Sequence, residues 1–466
     1  MEKMDLVIAN GTAYLNGEFV KADIGVKNGK IAWIGRSGEV LPECTNTLDA
    51  VGRHVLPGLI DTHVHIREPG FTHKEDFITG TRAAAAGGVT MIVDMPNVKP
   101  STNSLERFIE HRKLAASKSL VDFNHWVGPP ENLDEISQIV AEGAIGIKVF
   151  MMNDTKRSYP HMPELGVLND GQLYDIFTAC ARAGATCAVH PHNQGMFEWI
   201  EQKYFWNKNK TGPLDYADAL RFGDSIVYDT AIATLLILAR SSGMKLHILH
   251  LNTNLSTKMV QYAVESGVNV SGEFNAPHFF IQREDIEKRG PYVLGTWTPP
   301  KDQQALWDTV NRMPFTCLIG TDHAPHHIDE KEIGWVDMWK AHGGAPYIQD
   351  YLSLFLNAAN EGKISLERIV QITSEIPATN FGFYPQKGTI SVGSDADFAI
   401  VDMNREKIIS KDTSYSKCGY NPFEGWRVKG CPVYTILRGE VIMKDNEIFA
   451  QPGYGEFVPV NRKGGL

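Results

Sequence analysis

Two hydrophobic rhythms alternate through the middle of the chain. Short apolar, β-branched runs read as strands: "VLPGLIDTHVHI", "VTMIVDMP", "VDFNHWVG", "AIGIKVFMM", "TCAVHPH", "KLHILHLN", "VNVSGEF" and "TCLIGTDHA". Between them, "KEDFITGTRAAAA", "DGQLYDIFTACARAG", "SIVYDTAIATLLILARSSG" and "LSTKMVQYAVESG" carry apolar positions at helical spacing. Several stop at a glycine able to take the left-handed position after a helix. Eight such strand–helix alternations predict an α/β protein, a (β/α)8 TIM-type barrel over residues 53–382. In that architecture the chemistry belongs at the C-terminal ends of the strands. A doubly wound open sheet is the alternative.

The two ends of the chain follow another pattern. Residues 1–52 alternate with a period of two and turn through Asn-Gly and Lys-Asn-Gly, both hairpin signals. Residues 383–466 do the same in "GTISVGSDADFAIVDMN" and "VYTILRGEVIMKDNEI". Neither end is long enough for a good sheet-on-sheet core of its own. The two are therefore expected to combine into one small β-sandwich beside the barrel.

Composition narrows the class of function. The 466 residues are 43% hydrophobic and 21% charged, an ordinary globular balance. The formal net charge is −10, with acidic residues spread along the chain. No basic stripe offers phosphate contacts, so nucleic acid is not an expected partner. The opening "MEKMDLVIANG" lacks the apolar core of a signal peptide, and the apolar stretch from Ala231 to Ala239 is too short to span a bilayer. No membrane association is expected. Cys44, Cys180, Cys187, Cys317, Cys418 and Cys431 form no CxxC and no regular spacing, which reads as reduced thiols in a cytoplasmic protein.

The strand ends hold the candidate chemistry. His63 and His65 close the first strand one residue apart and so face the same way. Asn97 follows the second strand, Lys148 lies in the fourth, His190 ends the fifth, His250 the sixth and Asp322 the eighth. A single strand histidine is more often core packing, but this joint placement on one rim is hard to explain that way. Imidazoles and a carboxylate without thiolates suit Zn2+ and similar divalent ions. Five such ligands exceed one open catalytic site and suit two metals roughly 3.5–4 Å apart, which activate water and polarise a substrate oxygen. Lys148 sits in the apolar string "IGIKVFMM". Desolvation there favours its neutral amine, which can add CO2 to give an anionic carbamate able to bridge two metals. The other reading is a lysine reaching solvent at a strand end. Arg67 shares the parity of His63 and His65, and its planar fork suits a carboxylate, with Asn97 near enough in the pattern to add a hydrogen bond. A structural ion pair is the alternative for Arg67.

The run "DTHVHIREPGFTHKEDFITGTRAAAAGGVTMIVDMPN", Asp61 to Asn97, closely resembles the cyclic amidohydrolases, the group of dihydroorotases, allantoinases and dihydropyrimidinase-hydantoinases, and above all the dihydroorotases. "GIKVFMM", "LHILHLN", "PHFF", "TPPKD", "TDHAPHHIDEK" and "NPFEGWRVKG" agree with it along nearly the whole chain. The resemblance implies metal-dependent hydrolysis of the amide C–N bond in a small cyclic ureide, imide or lactam, with two divalent ions of the zinc kind. By position it implies that His63, His65 and Asp322 hold one metal, that His190 and His250 hold the other, and that Lys148 bridges them as a carbamate. Asp322 would also carry a proton from the attacking water to the leaving nitrogen. Arg67 and Asn97 would hold a substrate carboxylate, and His326 would be another substrate contact. His247, three residues before His250 and so on the opposite side of the strand, would be a supporting residue. A homo-oligomer is expected on the same ground. The competing class is a relative that has lost its metals and acts as an interaction protein, but every ligand position here is filled.

Three departures leave the ligands intact and bear on the substrate. Pro191 and His192 stand where many relatives have Ala-Glu, Asn153 where dihydropyrimidinases and hydantoinases have tyrosine, and Lys301 where most have arginine. A dihydroorotase-like substrate is favoured, with an allantoin- or hydantoin-type one as the alternative. The aromatic segment 195–223, with Phe197, Trp199, Tyr204, Phe205 and Trp206, is expected to be packing, a lid or a subunit contact, and is given no substrate role.

Overall fold

The structure, a computed structural model, describes residues 2–36, 38–153, 163–293 and 297–461. Five strands open the chain: β1 (Met4–Leu15), β2 (Glu18–Lys27), β3 (Lys30–Arg36), β4 (Cys44–Asp49) and β5 (His54–Pro57). Eight parallel strands follow: β6 (Leu59–Val64), β7 (Val89–Asp94), β8 (Asp122–Val127), β9 (Gly146–Phe150), β10 (Thr186–His190), β11 (Lys245–Ile248), β12 (Val270–Asn275) and β13 (Cys317–Gly320). They pair in chain order, without the reversal of a doubly wound sheet. Val64 at the end of β6 bridges His323 just past β13, and the His65 amide donates to the His323 carbonyl at 2.7 Å, so the ring of strands nearly closes. The fold is the TIM-type barrel that the alternation predicts.

After the barrel come β14 (Phe398–Ile408), β15 (Arg427–Leu437), β16 (Glu440–Lys444) and β17 (Glu447–Ile448). These join β1–β5 in one nine-stranded sheet, with β14 laid antiparallel against β5. Ile8, Ile24, Val55, Phe398, Ile400 and Ile436, drawn from both chain ends, share its apolar core. Asn16-Gly17 and Asn28-Gly29 make two of its two-residue turns with positive φ at all four positions, the geometry that matches the twist of the flanking strands.

The run "VLPGLIDTHVHI" is not one strand as its pattern suggests. Its first half, β5, pairs with β1 and β14, and the chain crosses into the barrel at Gly58. A Cβ at Gly58 would lie 2.1 Å from the Thr90 hydroxyl, so the crossing has no room for a side chain. At the other end of the barrel from the candidate ligands, the buried Lys387 ammonium meets Asp122 at the start of β8, and also Asp395 and Asp397, at 2.9 and 2.6 Å. This network ties the barrel to the terminal sheet.

Helices Phe77–Ala86, Asp170–Ala183 and Asn254–Glu265 fall where the spacing predicts them, and Gly184 takes the left-handed position after the second. Among the described helices, Phe222–Ser242 is long and apolar enough, by length and composition, to cross a membrane. Its Ala231, Ile232, Leu235 and Ala239 are instead buried in the core between barrel and helices.

Candidate metal centre

His63 and His65 leave the end of β6 with their Nε2 atoms each 3.2 Å from Asp322 Oδ1. Their tautomers follow from the partners behind them. Nδ1 of His63 donates to Glu273 Oε1 at 2.6 Å, and Nδ1 of His65 donates to Asn97 Oδ1 at 2.6 Å. Both rings therefore present an Nε2 lone pair toward Asp322, the arrangement in which histidines ligate a metal. Asn275 Nδ2 donates to the other oxygen of Asp322 at 3.1 Å.

Lys148, on β9, is fully buried, and its Nζ has no hydrogen-bond partner among the described residues. Burial lowers its pKa from 10.5 to about 7, although Asp322 and Glu273 pull the other way. His190 ends β10, and its Nδ1 lies 2.7 Å from Nε2 of His250, just past β11. Burial also lowers the pKa of His65 and of His250 to about 3. Burial opposes the charge on Asp322, but the adjacent His63, His65 and His250 more than offset this and hold it well below the usual carboxylate range. Burial opposes charge on His63, but the Asp322 and Glu273 carboxylates outweigh it and raise its pKa. The imidazoles, the ionised carboxylate and the Lys148 amine together form a donor set that fits divalent cations.

These six residues line one cavity of about 120 Å3 at the barrel mouth. Arg67 and Asn97 line it too. The pleat does not carry Arg67 there as the parity argument supposes, because β6 stops at Val64 and Arg67 takes a left-handed turn at φ 65°. Asp322 and His250 are left-handed as well, at φ 50° and 40°. Backbone of this kind is costly for non-glycine residues and collects at functional sites. Arg67 is 2% exposed. Its Nε donates to the Pro325 carbonyl at 3.2 Å and its Nη2 lies 3.1 Å from His326 Nε2, while Nη1 has no partner among the described residues. Asn97 Nδ2 is likewise without one.

His326 does not line the cavity, contrary to its expected place as a substrate contact. It lies behind Arg67, stacked on His342 with ring centres 4.8 Å apart, so any effect it has on a ligand passes through the guanidinium. His192 does line the cavity, whereas Asn153 and Lys301 do not, and Lys301 pairs with Asp224 at 2.7 Å. Phe197, Tyr216 and Leu220, from the segment expected to be packing, a lid or a subunit contact, also form part of the wall. Phe197, Tyr216 and Leu220 belong at the same time to an apolar cluster with Phe205 and Trp339, so packing and lining are both served.

Glu273 is the residue that sequence reasoning missed. It lies in the strand run "VNVSGEF", fully buried, and its second oxygen is 3.9 Å from Nε2 of His247. The strand alternation that sets His247 opposite His250 does not continue through the left-handed His250, and His247 reaches the centre through Glu273. A carboxylate inside a run that reads as a barrel strand was the available signal.

The profile of the amidohydrolase family matches residues 54–442. The chain is similar to an L-hydantoinase of Paenarthrobacter aurescens, 33% identical over 460 residues, covering 97% of this chain and 98% of the relative. It is similar to a dihydroorotase of Methanosphaera stadtmanae, 33% identical over 433 residues, covering 92% and 94%. The solved L-hydantoinase (dihydropyrimidinase) from Arthrobacter aurescens superposes with a TM-score of 0.92 at 32% identity, covering 98% of this chain and all of that one.

Proposed function

The chain belongs to the amidohydrolase family and is a hydrolase of cyclic amides, and within that class we propose that its substrate is a small cyclic ureide carrying a carboxylate, as dihydroorotate does. The observation that carries this reading is Arg67. Its guanidinium is buried at the cavity wall, steadied by Pro325 and His326, with Nη1 left over. A buried donor of this kind is costly unless a ligand satisfies it, and a carboxylate accepts from Arg in the strongest geometry. Asn97 Nδ2, held by the bond of its own oxygen to His65, offers a second donor in the same cavity.

His63, His65 and Asp322 would hold one divalent ion, and His190 and His250 the other, with Lys148 between them as a carbamate. Two such ions supply Lewis acidity toward the ring carbonyl and acidify a bound water. Asp322, kept ionised and steered by Asn275, takes the proton from the attacking water and delivers it to the ring nitrogen as the C–N bond breaks. The cavity, about 120 Å3, suits one small ring.

A hydantoin-type substrate is the second reading, supported by the full-length likeness to L-hydantoinase. A turnover screen of dihydroorotate, dihydrouracil, hydantoin and allantoin with the metal-loaded protein and its Arg67→Met variant separates the two. The acid is expected to turn over best, with kcat/KM falling about 10- to 100-fold in the variant, the size of one lost charged hydrogen bond. Faster turnover of neutral rings with Arg67→Met harmless would reject the carboxylate reading.

A further inference from the structure

Behind the loop that carries Arg67, outside the catalytic cavity, three buried side chains converge: Asp94 at the end of β7, His111 on the helix Leu105–Ala116, and His125 in β8. All are 3% exposed or less. One potential ligand atom from each lies within 4.8 Å of the others. His125 is surrounded by Phe77, Phe108 and Phe123, and its ring centre is 4.3 Å from that of His111. Neither of its ring nitrogens has a hydrogen-bond partner among the described residues, and neither does Asp94 Oδ2. Each unmet buried polar atom costs about 1–3 kcal/mol, so three at one point need an occupant.

We propose that Asp94, His111 and His125 form a structural binding site for a divalent cation of the zinc type, separate from the catalytic centre. Two ligands at 2.0–2.1 Å from one tetrahedral zinc lie about 3.3 Å apart. Asp94 Oδ2 is 3.4 Å from His111 Nε2, the separation expected of two such ligands, and the proton on that nitrogen now donates to the Glu68 carbonyl at 2.8 Å. Asp94 Oδ2, His111 Nε2 and one nitrogen of His125 make a set of three donors, one carboxylate and two imidazoles, once the ion replaces that proton. His111 then takes the tautomer with its proton on Nδ1, which donates to Thr102 Oγ1, now 2.8 Å away; a hydroxyl accepts as readily as it donates. The other oxygen of Asp94 accepts from the Ile66 amide at 2.8 Å, which aims Oδ2 inward. Burial of all three side chains means that the ion enters as the chain folds. Once bound, it joins two strands and a helix at one point.

Crystals of the full chain prepared with Zn2+ and measured at the zinc absorption edge test the site without mutation. An anomalous peak enclosed by Asp94, His111 and His125 is expected, whatever the signal at the barrel mouth. A map of zinc-saturated protein with no peak there would overturn the proposal and leave a buried water as the occupant. Metal analysis of His125→Phe, which keeps a flat ring and removes both nitrogens, is expected to show one zinc per chain fewer than the parent. An unchanged metal content would equally overturn it.

Discussion

Replacing Glu273 by Gln probes how the barrel tunes its ligands. The carboxylate is fully buried and accepts from His63 Nδ1 at 2.6 Å, with His247 Nε2 at 3.9 Å from its other oxygen. Burial opposes its ionisation, but His63 and His247 outweigh this and bring its pKa to about 2. Gln keeps the shape and one acceptor but loses the charge that makes His63 a more basic ligand. Its amide can also donate to Nδ1, which would move the ring proton to Nε2 and block coordination. Loss of a partner of this kind costs 10- to 100-fold in metal affinity, or about 1.4–2.8 kcal/mol. Zinc competition against a chromophoric chelator reads the change directly, and circular dichroism checks that the barrel stays folded. Gly320→Ala should act the same way, because a Cβ there would lie 2.4 Å from Glu273 Oε2. Zinc affinity within about twofold of the parent in Glu273→Gln would refute the reasoning and reduce Glu273 to packing.

Other perturbations address the remaining parts. Since burial lowers the pKa of Lys148 from 10.5 to about 7, the unfolded chain holds a proton between those values that the folded chain has released. Stability of the metal-free protein should therefore rise with pH across that window, and Lys148→Met should flatten the rise in a series of thermal melts; equal slopes would contradict this. Asp322→Asn should lower kcat by at least about 10²–10⁴-fold, and near-normal turnover would show that another group moves the proton. Lys387→Met leaves Asp122, Asp395 and Asp397 buried together, with Arg438 still pairing Asp122, Lys30 still pairing Asp395 and Asp397 left without a cation, and should cost about 3–5 kcal/mol in denaturant unfolding. A loss below about 1 kcal/mol would mean that the carboxylates are relieved by water.

Much of this architecture is written locally. A period of two marks a strand and a period near 3.6 marks a helix wherever they fall, so the eight barrel strands and the main helices could be read from the chain alone. The candidate ligands could be read with them, because a parallel barrel puts every strand's C-terminal end on one face. The Asn-Gly turns of the terminal sheet follow from the same kind of rule, since few other residues accept two successive positive φ angles.

Tertiary structure decided which side chains meet. His63 and Glu273 are 210 residues apart, on strands separated by β13, and only closure of the barrel brings Nδ1 to a carboxylate. Gly58 divides what reads as one strand because two sheets, built from distant segments, compete for its two halves. Arg67 reaches the cavity by a left-handed turn, and His326 falls behind it, because the loops after β6 and β13 pack against each other there. Phe197, Tyr216 and Leu220 become cavity wall because their helices pack near the mouth. Side-chain periodicity is a property of one element, whereas each of these contacts depends on the register and distance between elements, which no single segment encodes.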